Sequence, residues 1–545
     1  MKSSLRVIHN AKIRLGEGKF CQALLVGNGR ILKSGSNEEI LEAAGGEKID
    51  AAGALVLPAF HDSHLHLQWL GRREGMIEGA GAFSIEEVLE RGRILIERLK
   101  PAPGSYVQGA GVNPDLFTGE KRDPNRYDLD RISTVHPIII SRHCGHTIYC
   151  NSLALQMAGL SERAPGVEGG TIEKDQNGRP TGILRENANA IVRSPIPPLT
   201  GSEMADNFTR AIRRALSLGI TALGSYDING PDTDEVLGVL QELYREDGPR
   251  IRLTMQCGIS GREKFLDEFI NRGLVTGKVL QEDETGGPLL KMGPLKLFID
   301  GTLGGQTAWM RKPYHDKPET SGFAVLEKEP LEHFSRKAAG AGMQVIAHAI
   351  GDAGTEAVIN AFDRIIEGNR NPLRHGIVHC QITDRPLLER IARKNILTFV
   401  QPVFLADDWH ILEGRVGKEL ASSSYAWGTM KKLGIRASYG TDAPVSVPDP
   451  LLNISWAVLR QDPYTGNPPG GYYPAERVDL KSAVDAYTVE AAYSSFDEGC
   501  LGQIKKGFLA DLCFLDRDIF TIPAEEIHKA KVIRTMMAGE TVWER

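Results

Sequence analysis

The middle of the chain repeats one texture: a short run of apolar and β-branched residues, then a stretch with apolar positions three and four apart. GMQVIAHAIGDAG leads into TEAVINAFDRIIEG, and HGIVHCQ leads into TDRPLLERIARKN before ILTFVQP opens the next run. Spacing of three and four marks a helix with one buried face, whereas an unbroken short apolar run marks a strand covered on both sides. Their alternation predicts parallel strands with helices outside. Strand candidates lie at 55–60, 106–110, 137–141, 219–225, 251–257, 295–299, 344–349, 376–380, 397–401 and 437–441. That is two more than a (β/α)8 barrel holds. The two at 106–110 and 137–141 fall in a segment of different character, 72–205, with Gly/Pro-rich stretches such as GLSERAPGVEGGTIEKDQNGRPTG and RSPIPPLTG. Taking that segment as an insertion after the first barrel strand leaves eight. Within it Ser84 and Glu87 form a capping box at the head of a helix, and Phe83 and Val88 have the spacing of a hydrophobic staple.

The two ends differ from the middle. LRVIHNAKIRL and FCQALLVGNGRILKSG read as short strands, with Gly27, Asn28 and Gly29 marking a hairpin. GFLADLCFLDRD and KVIRTMMAGETVWER repeat that texture at the C-terminus. The expected organisation is a β-sandwich from 1–54 plus 500–545, a barrel from 55–71 plus 206–499, and the insertion 72–205 covering the active site.

With 545 residues, a formal charge of −6, 41% hydrophobic and 25% charged residues, the composition is that of an ordinary globular protein. Seven scattered cysteines, none in a Cys-x-x-Cys pair, fit a reducing compartment, and a cytoplasmic location is expected. No apolar run approaches the ~18 residues a membrane span needs, and no basic stripe suggests nucleic acid.

The candidate chemistry lies at the strand ends. LPAFHDSHLHLQWLG carries His64 and His66 two apart, so on a strand both face one side and can reach one metal ion. A lone His-x-His is more often a pair of satisfied histidines; the flanking Asp62 adds a carboxylate able to orient an imidazole. Strand four holds Lys296 in PLKLFIDG, strand five ends at His348, strand six at His379, and strand eight at Asp442 in SYGTDAP. Each alone reads as structural, but barrel active sites lie at the C-terminal strand ends, where these residues coincide.

This pattern resembles the amidohydrolase superfamily of metal-dependent hydrolases. PAFHDSHLHL is similar to its strand-one signature, GTDAPV to its strand-eight signature, and GQIKKGFLADLCFLD to the return into its small β-sandwich. PIIISRHCGHTIYCNSLAL, GRPTGILRENA and LKLFIDGTLGGQTAWM resemble the branch that includes N-substituted formamide deformylase. The resemblance spans essentially the whole chain and implies an α/β fold, a (β/α)8 barrel with a β-sandwich from both termini and an insertion.

It also implies a binuclear centre of two divalent ions, zinc foremost. His64 and His66 would hold the first, His348 and His379 the second. Lys296, carbamylated, would bridge them, and Asp442 would contact the first metal and the attacking hydroxide as general base. His61 departs from the family pattern and is given no role. Arg142 and His146 in SRHCGH match the branch motif and, with Thr302 and Tyr314 after strand four, are the candidate substrate contacts. Arg142 and His146 read equally well as a loop-stabilising pair.

The implied reaction is hydrolysis of a C–N amide-type bond, in an N-acyl or N-formyl amine, by a metal-activated hydroxide. The rivals are a mononuclear ring deaminase, an esterase or lactonase, and a non-catalytic regulatory protein on the same scaffold. Such deaminases carry a glutamate three residues after the strand-five histidine; here that position is Gly351. The expected partner is a small amide-type molecule, without nucleic acid or membrane. A homodimer is allowed but not decided.

Overall fold

In the computed structural model residues 5–16, 18–43, 45–143, 145–160, 166–245 and 248–545 are described. They form two units, Met1–Leu70 with Ala211–Arg545, and Gly71–Arg210.

Eight parallel strands build the barrel of the first unit. They are β1 (Phe60–Leu65), β2 (Ile220–Asn229), β3 (Arg252–Gly258), β4 (Pro288–Phe298), β5 (Val345–Ala349), β6 (Gly376–His379), β7 (Leu397–Val400) and β8 (Ala437–Tyr439). They neighbour one another in chain order. β1, β3, β5, β6 and β7 are buried along their whole length, which explains their unbroken apolar reading. The seam between β1 and the end of β8 is closed by hydrogen bonds from Asp442 N to His64 O (2.8 Å) and from His66 N to Ala443 O (2.8 Å). Gly440 permits that approach: a Cβ there would stand 2.7 Å from His64 N.

Both termini meet in a pair of small sheets. One orders Arg30–Gly35, Ala23–Gly27, Leu5–His9 and Glu47–Asp50; the other orders Glu540–Glu544, Val532–Met537, Leu512–Leu515, Leu55–Pro58, Lys12–Gly16 and Lys19–Cys21. Ile8, Leu24 and Val26 from the first pack with Ile13, Val56, Phe514 and Met536 from the second. The hairpin at 27–30 turns through Asn28 and Gly29, with φ of 50° and 73°.

The first strand differs from the sequence reading. LVLPAF is not one barrel strand: Leu55–Pro58 pairs with Leu512–Leu515 and Lys12–Ile13, and the barrel begins at Phe60. Both halves of the run are buried, so hydrophobicity hides the change of sheet. Pro58, with no N–H for a ladder, marks it.

The second unit carries its own six-stranded sheet, in the order Gly170–Lys174, Pro180–Glu186, Thr147–Cys150, Ile138–Arg142, Val107–Val112 and Ile77–Glu78. Four of these strands were not anticipated. Gly170–Lys174 shows why: it buries only Ile172 and looks like loop. Helix Ile85–Leu99 starts at Ser84, whose side chain accepts from Glu87 N, while Glu87 Oε2 accepts from Phe83 N. Val88 is buried, but Phe83 stays 54% exposed, so the staple contributes little. No helix among the described residues is long and apolar enough to cross a membrane.

Candidate metal centre

The barrel brings six polar side chains to one end. His64 lies in β1 and His66 just beyond it; Lys296, His348 and His379 lie near the ends of β4, β5 and β6; Asp442 follows β8. His64, His66 and Asp442 each offer a ligand atom within 4.8 Å of the others. Asp442 Oδ1 is 3.1 Å from His66 Nε2 and 3.4 Å from His64 Nε2. Lys296 Nζ lies 3.1 Å from His64 Nε2. The His348 and His379 rings form a second pair, 4.4 Å between centroids, and His379 is 6.1 Å from the His64 ring.

The outer hydrogen bonds fix which nitrogen faces the centre. His64 Nδ1 meets Gln256 Oε1 at 2.6 Å, His379 Nδ1 meets Gln401 Oε1 at 2.8 Å, and His66 Nδ1 meets the Tyr226 carbonyl at 3.2 Å. Both glutamine amides are themselves oriented, donating to Ser63 O and Phe399 O. Facing acceptors, these Nδ1 atoms carry the hydrogens and leave the Nε2 lone pairs free. His348 is reversed: its Nε2 lies 3.1 Å from Gly301 O and 3.3 Å from Asp300 Oδ1, leaving Nδ1 as the lone-pair nitrogen. Asp300 is held by the backbone N–H groups of Trp309, Ile350 and Gly351.

This arrangement fits a cation. His64 Nε2, His66 Nε2 and Asp442 Oδ1 are all acceptors, and Asp442 Oδ1 is buried without a hydrogen-bond donor although two imidazole nitrogens face it. Lone pairs with no proton between them repel unless a positive ion lies among them. Two of the imidazoles are kept neutral: burial, assisted by neighbouring cationic groups, pushes His64 and His379 well below the ordinary histidine value. Burial also pulls Lys296 down to about 7, against the opposing pull of Asp442. His379 and Asp442 have φ of 76° and 54°, left-handed values costly for residues with a Cβ, so local backbone strain accompanies the cluster.

The anticipated substrate contacts lie in the loop after β4 and in the second unit. Tyr314 is 1% exposed and its hydroxyl donates to Ala308 O at 2.8 Å, so it braces the loop after β4. Thr302 is in the same loop: its N–H donates to Thr307 Oγ1 and its hydroxyl accepts from Gly305 N. In the second unit Arg142 pairs with Asp115 (2.8 Å) and lies 3.5 Å from Asp123. His146 Nδ1 is 3.0 Å from Glu186 Oε2, with a side chain 70% exposed. Cys144 of that motif falls outside the described residues. Asp62 orients no imidazole; it accepts from His64 N, Thr441 N and Thr441 Oγ1 and ties the β1–β8 seam. His61 is buried, and the charges acting on it are Asp497 and Lys291 rather than the ligand cluster.

Gln256, Gln401, Asp300 and Tyr226 escaped the sequence reading. A signal was present: Gln256 in TMQCG and Gln401 in TFVQP each close an apolar strand with one polar residue, as the histidines do. A cavity of about 420 Å³ adjoins the centre, with Tyr226, Lys296 and Phe298 in its lining. A larger one, about 650 Å³, lies where β7 and β8 begin, at the opposite barrel end, and holds none of the cluster.

Barrel, small sheets and ligand cluster together define a metal-dependent hydrolase, and the chain belongs to the amidohydrolase family, whose profile matches residues 47–543. Among its relatives is YtcJ of Bacillus subtilis (strain 168), a protein named for the amidohydrolases, 32% identical over 97% of each chain. N-substituted formamide deformylase of Arthrobacter pascens is 26% identical, over 99% of this chain and 98% of its own. A solved structure of an uncharacterized metal-dependent hydrolase from Pyrococcus furiosus superposes with a TM-score of 0.73 at 30% identity, covering 94% of this chain and 99% of the other.

Proposed function

We propose that this hydrolase cleaves a C–N amide-type bond, in an N-acyl or N-formyl amine, at a centre built for two divalent ions. The observation that carries the reading is the convergence of unprotonated ligand atoms around the buried Asp442 Oδ1. His64, His66 and Asp442 would hold one ion, His348 and His379 the other, and Lys296 both. Lys296 needs a carboxylate to do so. Its buried amine, pulled down to about 7 and so more readily deprotonated than an ordinary lysine, adds to carbon dioxide, forming an N–C bond and releasing one proton. Divalent ions there would polarise the scissile carbonyl and make water a nucleophile near neutral pH.

The protein's own groups do the remaining work. Gln256, Gln401 and the Tyr226 carbonyl hold the imidazoles in one tautomer. The Asp442 carboxylate takes a proton from the attacking water, then gives it to the nitrogen as the C–N bond breaks. The Thr302 hydroxyl, accepting from Gly305 N, keeps its proton to donate to a substrate oxygen. The relative that is a formamide deformylase acts, by its name, on such a bond.

The experiment is metal analysis with a panel of N-formyl amines, N-acyl amino acids, aryl esters and ring amidines. Two ions per chain and turnover of the amides support the reading. One ion with turnover of the amidines alone overturns it in favour of a deaminase; ester turnover alone replaces it with an esterase.

A further inference from the structure

The cavity beside the cluster has a character of its own. Ile259, Leu297, Phe298, Val325, Leu326 and Phe334 supply most of its wall. Ile259, Leu297 and Phe334 are buried, so the floor belongs to the packed core. Among the described residues Lys296 is the only ionisable group in the lining apart from the Tyr226 phenol, which burial raises far above the range where it ionises. Continuity with the metal centre is direct: Tyr226 supplies the carbonyl facing His66 Nδ1, its ring lies 5.3 Å from that of Phe298, and Phe298 lies 5.5 Å from the His348 ring. At the lip Ser260 has φ of 46°, with its N–H on Asn229 Oδ1 and its hydroxyl on Asn229 O. The lip is thereby fixed against β2.

The apolar character extends to the loops around the centre. Val325 is 57% and Phe323 55% exposed on the loop after β4; Val445 is 54% and Val447 50% exposed on the loop after β8; Trp69, after β1, is 48% exposed. Single exposed apolar side chains are ordinary, but here the segments after three ligand-bearing strands, a helix after β1 and loops after β4 and β8, each present one or two.

We infer that the cavity between the end of β2 and the loops after β3 and β4 is the subsite for an uncharged alkyl or aryl substituent of the substrate. The inference rests on the proposed amide-type hydrolysis and adds the chemical class of one half of the molecule. A carboxylate or ammonium held against Ile259, Leu297, Val325, Leu326 and Phe334, away from Lys296, would lose its water and find no counter-charge, so substituents with a charged end are disfavoured there.

The test uses the metal-loaded protein and N-methyl, N-propyl and N-hexyl methanesulfonamide, whose S–N bond resists hydrolysis, with the N-(5-carboxypentyl) compound as charged control. Dissociation constants are read by ligand-observed NMR. Each added methylene should tighten binding about three- to fourfold until the cavity is full, and the carboxypentyl compound should bind no better than the propyl one. Leu326→Trp, which fills the cavity, should remove most of the gain from propyl to hexyl, and Leu326→Glu should weaken hexyl most. A flat ladder, or a ladder unchanged in both variants, overturns the subsite. The two readings fail separately: amide turnover with a flat ladder sinks the subsite alone, and a full ladder with no cleaved C–N bond sinks the reaction alone.

Discussion

Lys296 as an unmodified amine is a donor placed among acceptors, 3.1 Å from His64 Nε2. As a carbamate it becomes one more acceptor, and the cluster becomes uniform. Lys296→Ala should therefore lose metal and activity together, with partial recovery on adding short carboxylic acids; elemental analysis beside an activity assay checks this. Asp442→Asn should keep the fold and most of the metal, since an amide oxygen still ligates, yet lose roughly 10²–10⁴ in kcat because it accepts no proton. Gln401→Ala should weaken metal binding about 10–100-fold, as loss of an outer hydrogen bond does; competition with a chelator measures it. At this scale the sequence was readable for ionisable residues. His64, His66, Lys296, His348, His379 and Asp442 interrupt apolar strands where a charge would be costly. Gln256 and Gln401 were passed over because a neutral amide raises no such alarm, although its oxygen fixes the tautomer.

At the scale of elements, the barrel strands after the first and their helices followed from periodicity, because most of each strand is buried and each helix covers one face. The strands of the second unit did not, because Gly170–Lys174 buries a single residue. Two buried histidines lie within or beside barrel strands outside the ligand set. His61 sits in β1, and His375 stands just before β6, where its Nδ1 accepts from Val345 N at 3.0 Å. That bond needs the unprotonated nitrogen. Burial lowers both histidines from 6.5 to about 4. The unfolded chain binds protons near 6.5 that the folded chain refuses until about 4. Their contribution to stability is thus complete above the upper value and is lost as pH falls toward the lower one, about 3 kcal/mol for each. Chemical denaturation at pH 7 and pH 5 should show the loss, and His61→Phe should make the difference smaller by one histidine's share.

At the scale of the molecule, the small sheets join residues that are far apart in sequence. Leu512–Leu515 pairs with Leu55–Pro58, and Met536 packs in the same core as Ile8 and Val56. The similar texture of the two ends hinted at this, but pairing over such a separation leaves no local signature. Removing residues 531–545 takes away two strands of the six-stranded sheet. The shortened chain should melt well below the full one and bind less metal, because Leu512–Leu515, the partner of the strand that leads into β1, loses its other neighbour; a thermal melt with metal analysis tests this.

Two residues after Leu55–Pro58 the same backbone enters β1 and runs on to His64. On a ribosome that run emerges early, and one partner of each of its two parts emerges late. The edge that seals the barrel, around Asp442, and the strand that seals the sheet, Leu512–Leu515, follow tens of seconds later at about 5–20 residues per second. Throughout that interval the nascent chain exposes an apolar ribbon with two unpaired edges, the state most open to aggregation and to chaperones. Completion of the proposed metal centre thereby waits on late synthesis: a chain that stops before Asp442 lacks one of the side chains proposed to hold the ion.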